Sequence, residues 1–268
     1  MTGKPTGSRH NSGLISAMME GPVYFISDAH LGIEDYAAEE GRRTRLLAFL
    51  HSLRGDARHL YIVGDLFDFW FEYRSVVPRQ HYTVLHALSS LVEHGTRVVY
   101  LPGNHDFWLG TFLDEQVGVE TAEGPLTVTH HGRRIYIAHG HGMITSDRGY
   151  RAISKIMHSA ISIRLFQMIH PDWGFTIGRL ASRLSRRHRK PASWNPRQAY
   201  RDLAFSLLEE GYDMVVFGHN HCPTLDCMGE KVYINLGDWI RHGTYGVLRE
   251  GEMSLEKYGN EGKESRTR

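Results

Sequence analysis

Five short polar groups each close an apolar run in this chain: Asp28-x-His30 after VYFIS, Gly64-Asp65 after HLYIV, Gly103-Asn104-His105-Asp106 after RVVYLP, His139 after RIYIA, and Gly218-His219-x-His221 after MVVF. They supply seven candidate metal ligands: Asp28, His30, Asp65, Asn104, His139, His219 and His221. Imidazole nitrogens, carboxylates and one amide carbonyl, with no thiolate, form a hard-to-borderline donor set. It suits manganese, iron or zinc in a reactive site better than a closed structural zinc. Two divalent ions roughly 3.5–4 Å apart need a carboxylate that bridges them, as in two-metal hydrolysis of phosphate esters. Asp65, on its own strand end between the other groups, is the natural bridge. A lone D-x-H or G-D carries little, because an Asp after a strand is usually a cap or turn residue. The weight comes from all the groups standing in order, each behind its own strand.

Those ligands need a frame that brings strand ends together. Runs of four to six residues rich in Val, Ile and Tyr read as buried strands, and open α/β sheets keep their sites where such strands end. The pattern predicts a strand at 23–27, a helix near 39–53, a strand at 59–63, a helix over 79–94 and a strand at 97–101. In the second helix Val84, Leu85, Leu88, Leu91 and Val92 recur at helical spacing. Strand–helix–strand units of this kind form right-handed crossovers. Further on, 126–129 and 134–138 flank His131-Gly132, and 244–248 and 253–258 flank Glu250-Gly251. Both pairs read as hairpins and predict a second, more antiparallel sheet packed on the first.

The stretch 148–201 is rich in Arg and Lys and holds a single acid, Asp172. Ile153, Ile156, Met157, Ile161, Leu165, Phe166, Met168 and Ile169 give an apolar element. In a following basic helix, Arg179, Arg183, Arg186, Arg187 and Lys190 share one side and Ile177, Leu180, Ala181 and Leu184 another. One reading is a pair of cap helices with a solvated basic face. The sharper one is an acyl-chain pocket and a contact with an anionic membrane surface. Without repeated aromatics among the arginines, a nucleic-acid platform is disfavoured. Trp173 and Trp194 read as ordinary packing aromatics of the cap.

At the five polar groups the chain resembles the calcineurin-like metallophosphoesterase superfamily, whose signature runs D-x-H, G-D, G-N-H-D/E, a lone histidine and G-H-x-H. A closer resemblance covers most of 23–245. The segments Gly64-Asp-Leu-Phe-Asp-Phe-Trp70, Asp106-Phe-Trp-Leu-Gly110, His139-Gly140 with Thr145-x-Asp147-x-x-Tyr150, and Asn235-Leu-Gly-Asp-Trp239 are similar to the UDP-2,3-diacylglucosamine diphosphatases of lipid A biosynthesis. Many of that family carry Arg where this chain has His105 and Asp where it has His141.

The resemblance implies an α/β fold, a two-sheet sandwich flanked by helices with a helical cap insertion. It implies two divalent ions, Mn2+ foremost, one on Asp28, His30, Asp65 and His221 and the other on Asp65, Asn104, His139 and His219. It also implies cleavage of a glycolipid nucleotide into UMP and a diacylated glucosamine 1-phosphate, with attack by a bridging hydroxide at the phosphorus bonded to uridine. The leaving sugar phosphate needs less proton help than an alkoxide would. His105 is therefore expected to stabilise the transition state or donate a proton, with Asp106 orienting its ring. Arg148, Arg151 and Lys155 are candidates for the second phosphate, and Asp147 and Tyr150 for the sugar or uridine. A phosphodiesterase, nuclease or protein phosphatase of the same superfamily is the alternative; a bare scaffold is disfavoured because no ligand is missing.

Composition sets the remaining bounds. With 268 residues, 41% hydrophobic content and a net charge of +1, the chain can bury one substantial core, and its total charge names no partner. Residues 1–20 and 259–268 read as flexible ends of a single catalytic domain, 21–258. No run approaches a membrane span and the amino terminus shows no signal-peptide core, so neither standard secretion nor a membrane span is expected; with the basic helix, the expectation is a cytoplasmic protein peripheral on the inner membrane. Cys222 and Cys227 lack zinc-ribbon spacing, and a disulfide between them is disfavoured. His51, His59, His81, His86, His94, His130 and His131 read as surface or loop histidines.

Overall fold

The computed structural model describes residues 20–34, 36–106, 108–144, 159–187 and 195–259. Asp147, Arg148, Tyr150, Arg151, Lys155, Lys190 and Trp194 lie outside the described residues, as do 1–19 and 260–268. The chain opens with β1 (Val23–Ile26), α1 (Glu40–Ser52), β2 (His59–Val63), α2 (Tyr82–Glu93), β3 (Arg97–Leu101) and β4 (Glu120–Thr121). Next come β5 (Leu126–His130), β6 (Arg133–Ala138) and the cap helices α3 (Ala160–Gln167) and α4 (Pro171–Arg187). It closes with α5 (Pro196–Glu209), β7 (Met214–Phe217), β8 (Thr224–Met228), β9 (Lys231–Asn235), β10 (Thr244–Arg249) and β11 (Glu252–Lys257).

Two mixed sheets result, in strand orders β11-β10-β1-β2-β3-β4 and β5-β6-β7-β9-β8. The strands β1 to β4 run parallel, which is why their crossovers are helical. Period-two alternation then sorts the side chains. Val23, Phe25, Tyr61, Val63, Val99 and Leu101 face the other sheet and meet Ile135, Ile137, Val216 and Ile234. Tyr24, Ile26, Leu60, Ile62 and Val98 face outward under Leu46, Phe49 and Leu50 of α1 and Val84, Leu88 and Leu91 of α2. On the far side, Val215, Phe217 and Tyr233 lie under Tyr200, Ala204 and Leu208 of α5. Strands covered on both faces read as continuous apolar runs, and these are the runs that the ligands terminate.

Two expectations are corrected here. The last hairpin does not join the second sheet: β10 pairs antiparallel with β1, Val23 opposite Leu248, and enlarges the first sheet. Its Val247 and Leu248 enter the outer and inter-sheet cores respectively, so both faces of β10 are covered. Asn235, at the head of the Asn235–Trp239 segment, ends β9, which pairs with β7 inside the second sheet. Of the histidines read as surface or loop residues, His81 and His130 are buried. The His81 ring packs on Phe67, and its burial, aided by the nearby Arg43 charge, pushes its pKa down to about 3. His130 meets the Tyr61 hydroxyl at 2.8 Å.

The cap departs from its helical-wheel reading for a steric reason. On α4, Gly174, Gly178 and Ser182 form the buried face; a Cβ at Gly174 would overlap the Tyr73 hydroxyl and one at Gly178 the Phe69 ring. The small residues allow the helix backbone to lie directly on the aromatics of the loop after β2. The predicted apolar side is therefore turned outward: Ile177, Leu180 and Leu184 are exposed, and Trp173 is 72% exposed rather than packed. From α3, whose Phe166 packs on Phe71 and Trp108, Ile161, Leu165 and Met168 are exposed as well. Ser159 caps α3 through the Ser162 amide, and Asn195 with Pro196 starts α5 in the manner these residues favour. Among the described residues, no helix is long and apolar enough to cross a membrane, and both cysteines are free thiols.

Candidate metal centre

The predicted ligands meet at the carboxyl ends of β1, β2, β3, β6 and β7. Five of them, Asp28, His30, Asp65, His219 and His221, have φ between 45° and 66°, in the left-handed region that non-glycine residues seldom occupy. Each chain segment turns sharply off its strand, and long-range hydrogen bonds hold the turn. The Asp28 amide donates to the Gly64 carbonyl at 3.1 Å and the His30 amide to that of Asp65 at 2.9 Å, so the first loop is fastened to the second. The His219 amide donates to Asp28 Oδ2 at 2.9 Å, which fastens the last loop to the first. Backbone strain of this kind persists where the surroundings over-determine it, and it concentrates at functional sites. Close approach fixes two glycines: a Cβ at Gly103 would overlap the Asp65 carboxylate, and one at Gly64, itself at φ 76°, would overlap the His139 ring.

The predicted ligands fall into two adjoining clusters, Asp28–His30–His221 and Asp65–His139–His219, and a further group, His30–Asp68–His105, shares His30 with the first. In the first, Asp28 Oδ1 lies 3.3 Å from His221 Nε2 and 3.6 Å from His30 Nε2. In the second, Asn104 Oδ1 lies 3.2 Å from His139 Nε2. Asp65 joins them, with Oδ2 placed 3.6 Å from His30 Nε2 and 3.3 Å from His139 Nε2. The fit to cations is tested by Asp28 Oδ1: it is buried and accepts no hydrogen bond, yet faces two ring nitrogens. An orphaned anionic oxygen among convergent nitrogen donors is an arrangement that a divalent ion satisfies.

Charge balance points the same way. Burial alone would lower the pKa of His30, but the carboxylates of Asp28, Asp68 and Asp65 raise it to about 10. Against the same burial penalty, Asp65 and Asp28 raise His139 to about 9. Burial works against ionising Asp28 too, yet His221, His139 and His30 hold it down to about 2, and Asp65 is likewise held well below the usual carboxylate range by His139 and His105. His219 stays neutral because it is buried next to His139. The buried carboxylates thus favour the protonated form of two histidines, and a divalent ion held by these residues would take the place of those protons.

Asp106 does not orient His105, contrary to the sequence reading. Its fully buried carboxylate accepts the amides of Asp65 (3.1 Å), Phe67 (3.2 Å) and Gly103 (2.8 Å) and the Tyr100 hydroxyl, tying the second ligand loop to the third. Burial and the neighbouring Asp65 charge raise its pKa to about 6. The His105 ring is held instead by Ser182 Oγ of α4 at 3.1 Å and the Asp68 carbonyl at 3.2 Å. His141 sits beside the second cluster, its ring centroid 5.4 Å from that of His139. Two buried acids escaped the sequence reading. Asp68 Oδ1 lies 3.3 Å from His30 Nδ1, and Asp238 Oδ2 lies 3.6 Å from His221 Nδ1. Both stand inside segments that carry the closer resemblance, Gly64–Trp70 and Asn235–Trp239, which was the available signal.

Fold and site together define a phosphoesterase architecture, two mixed sheets with a histidine–carboxylate centre at their strand ends. The calcineurin-like phosphoesterase family matches residues 21–223, and the chain belongs to that family as a metal-dependent hydrolase. It is similar to UDP-2,3-diacylglucosamine hydrolase of Porphyromonas gingivalis, 33% identical, with 89% of this chain and 98% of that protein aligned. It is also similar to the enzyme of the same name from Neisseria meningitidis serogroup B, 31% identical over 88% of this chain and 99% of the relative. Among solved structures, a phosphoesterase from E. coli aligns with 89% of this chain and 93% of its own at 17% identity and a TM-score of 0.43.

Proposed function

We propose that the chain hydrolyses the diphosphate bond of UDP-2,3-diacylglucosamine, releasing UMP and 2,3-diacylglucosamine 1-phosphate for lipid A biosynthesis. The observation that carries the reading is the pair of adjoining ligand clusters sharing Asp65, in a chain similar over nearly its whole length to hydrolases of that substrate. Asp28, His30, Asp65 and His221 would hold one ion, and Asp65, Asn104, His139 and His219 the other, with Mn2+ the expected metal. When bound, two such ions supply Lewis acidity to the phosphoryl oxygens and acidify water at neutral pH. The rest is done by the chain. Asp65 sets the spacing of the two clusters, Asp106 locks the loops that carry Asp65 and Asn104, and His105, packed against His30 at the edge of the first cluster, would stabilise the transition state or donate a proton. Asp147, Tyr150, Arg148, Arg151 and Lys155 are the expected contacts to sugar, uridine and second phosphate.

The cap supports a lipid-bearing substrate and a peripheral place on the cytoplasmic face of the inner membrane. Ile177, Leu180 and Leu184 make an exposed apolar row on the helix whose Ser182 touches His105. Arginines at 179, 183, 186 and 187 follow the same helix. An apolar row beside cations matches an anionic bilayer surface, where each Lys or Arg contributes about 1 kcal/mol. Purified protein with Mn2+ should release UMP from UDP-2,3-diacylglucosamine far faster than from the deacylated UDP-sugar; equal rates would remove the lipid argument, and nuclease activity alone would favour the alternative. Replacing the four arginines with Gln should weaken flotation with anionic vesicles at low salt while metal content stays unchanged. Salt-independent binding, or no difference from the parent, would return α4 to an ordinary solvated cap.

A further inference from the structure

We infer that Asp68 and Asp238 are positioning residues that make the Asp28–His30–His221 cluster the tighter of two unequal metal sites. The inference rests on the two-ion reading above. Both histidines of this cluster turn Nε2 toward Asp28 and Nδ1 toward a buried acid outside the ligand set. For His30 that acid is Asp68, whose Oδ1 lies 3.3 Å from Nδ1 and whose Oδ2 is fixed by the Ser182 hydroxyl at 2.8 Å. For His221 it is Asp238, with Oδ2 3.6 Å from Nδ1 and 2.9 Å from His242 Nδ1. Its Oδ1 accepts the Arg241 amide at 2.6 Å. Each acid is thus anchored on its far side and unable to turn away.

In the second cluster the corresponding contact of His139 is neutral: Nδ1 meets the Val63 carbonyl at 2.8 Å. The two carboxylates stand 3.3 and 3.6 Å behind these rings as charges that favour the proton on Nδ1 and leave the Nε2 lone pair for the metal, where the carbonyl behind His139 offers only a dipole. Removing such a partner typically weakens metal affinity 10–100-fold. The two ions therefore bind in two steps, the first to the cluster backed by two acids. Asp68 also explains how the cap reaches the centre: Ser182 on α4 holds it, so the helix with the exposed apolar row is one residue removed from a ligand.

The test is a Mn2+ titration of metal-stripped full-length protein by chelator competition, with the parent, Asp68→Asn, Asp238→Asn and His139→Asn compared and folding followed by thermal melting. The parent should take two ions in two resolved steps. Asp68→Asn and Asp238→Asn should each weaken the tighter step about 10–100-fold and leave the other in place, whereas His139→Asn should abolish the weaker one. The two Asn variants are independent, so either alone carries the test if the other melts early. The inference is overturned if folded variants keep the parental first step, or if both steps weaken equally. A parent that binds no divalent ion would overturn the two-ion reading itself.

Discussion

Asp65→Asn is expected to lower kcat/KM by roughly a thousandfold or more, about 4 kcal/mol of transition-state stabilisation. The substitution keeps shape and volume, and the side-chain oxygen that accepts the His105 amide at 2.9 Å can still do so. What it removes is the anionic Oδ2 that faces His30 of one cluster and His139 of the other. A neutral amide also leaves the raised His30 and His139 without one of the charges that hold their protons. Loss of turnover should therefore come with loss of bound metal from two ions toward one, while the melting temperature changes little. Near-native turnover with two ions retained would remove Asp65 from the bridge.

Asp106→Ala is expected to act on the fold and the site together, destabilising the protein by about 3–5 kcal/mol in chemical denaturation. Four donors, three backbone amides and the Tyr100 hydroxyl, converge on this carboxylate in a fully buried place. Each left without a partner costs about 1–3 kcal/mol, offset by what relaxation and entering water recover. Because the amides belong to Asp65, Phe67 and Gly103, the loops that present Asp65 and Asn104 should loosen, and the protein should purify with less metal. A variant with parental stability would mean that these hydrogen bonds are replaced by others; parental stability with lost turnover would restore Asp106 to a direct part in the chemistry.

The ligands were legible because each directly follows a strand whose apolar run is unbroken, a consequence of burial on both faces. Identity and order of the residues then carried the chemistry. The left-handed turns at Asp28, His30, Asp65, His219 and His221 were not legible, since non-glycine residues give no sign of positive φ. Asp68 and Asp238 stood in plain view, but their partners lie 38 and 17 residues away and no local periodicity points to them. The packed face of α4 was not legible in its hydrophobicity, since its apolar row faces outward; Gly174, Gly178 and Ser182, four residues apart, mark the close backbone approach. A hairpin signal is local and specifies β10 with β11, whereas the pairing of β10 with β1 depends on burial of Val247 and Leu248 by distant helices and strands.

Running the turnover of UDP-2,3-diacylglucosamine in 18O-labelled water tests the central claim most directly, since it reports the bond cut and the phosphorus attacked at once. With the metal-loaded protein, UMP and 2,3-diacylglucosamine 1-phosphate should form in equal amounts, UMP carrying one solvent-derived oxygen and the lipid phosphate none. Chelation should stop the reaction and added Mn2+ restore it. Label in the lipid phosphate, formation of UDP in place of UMP, or turnover that survives chelation would contradict the account.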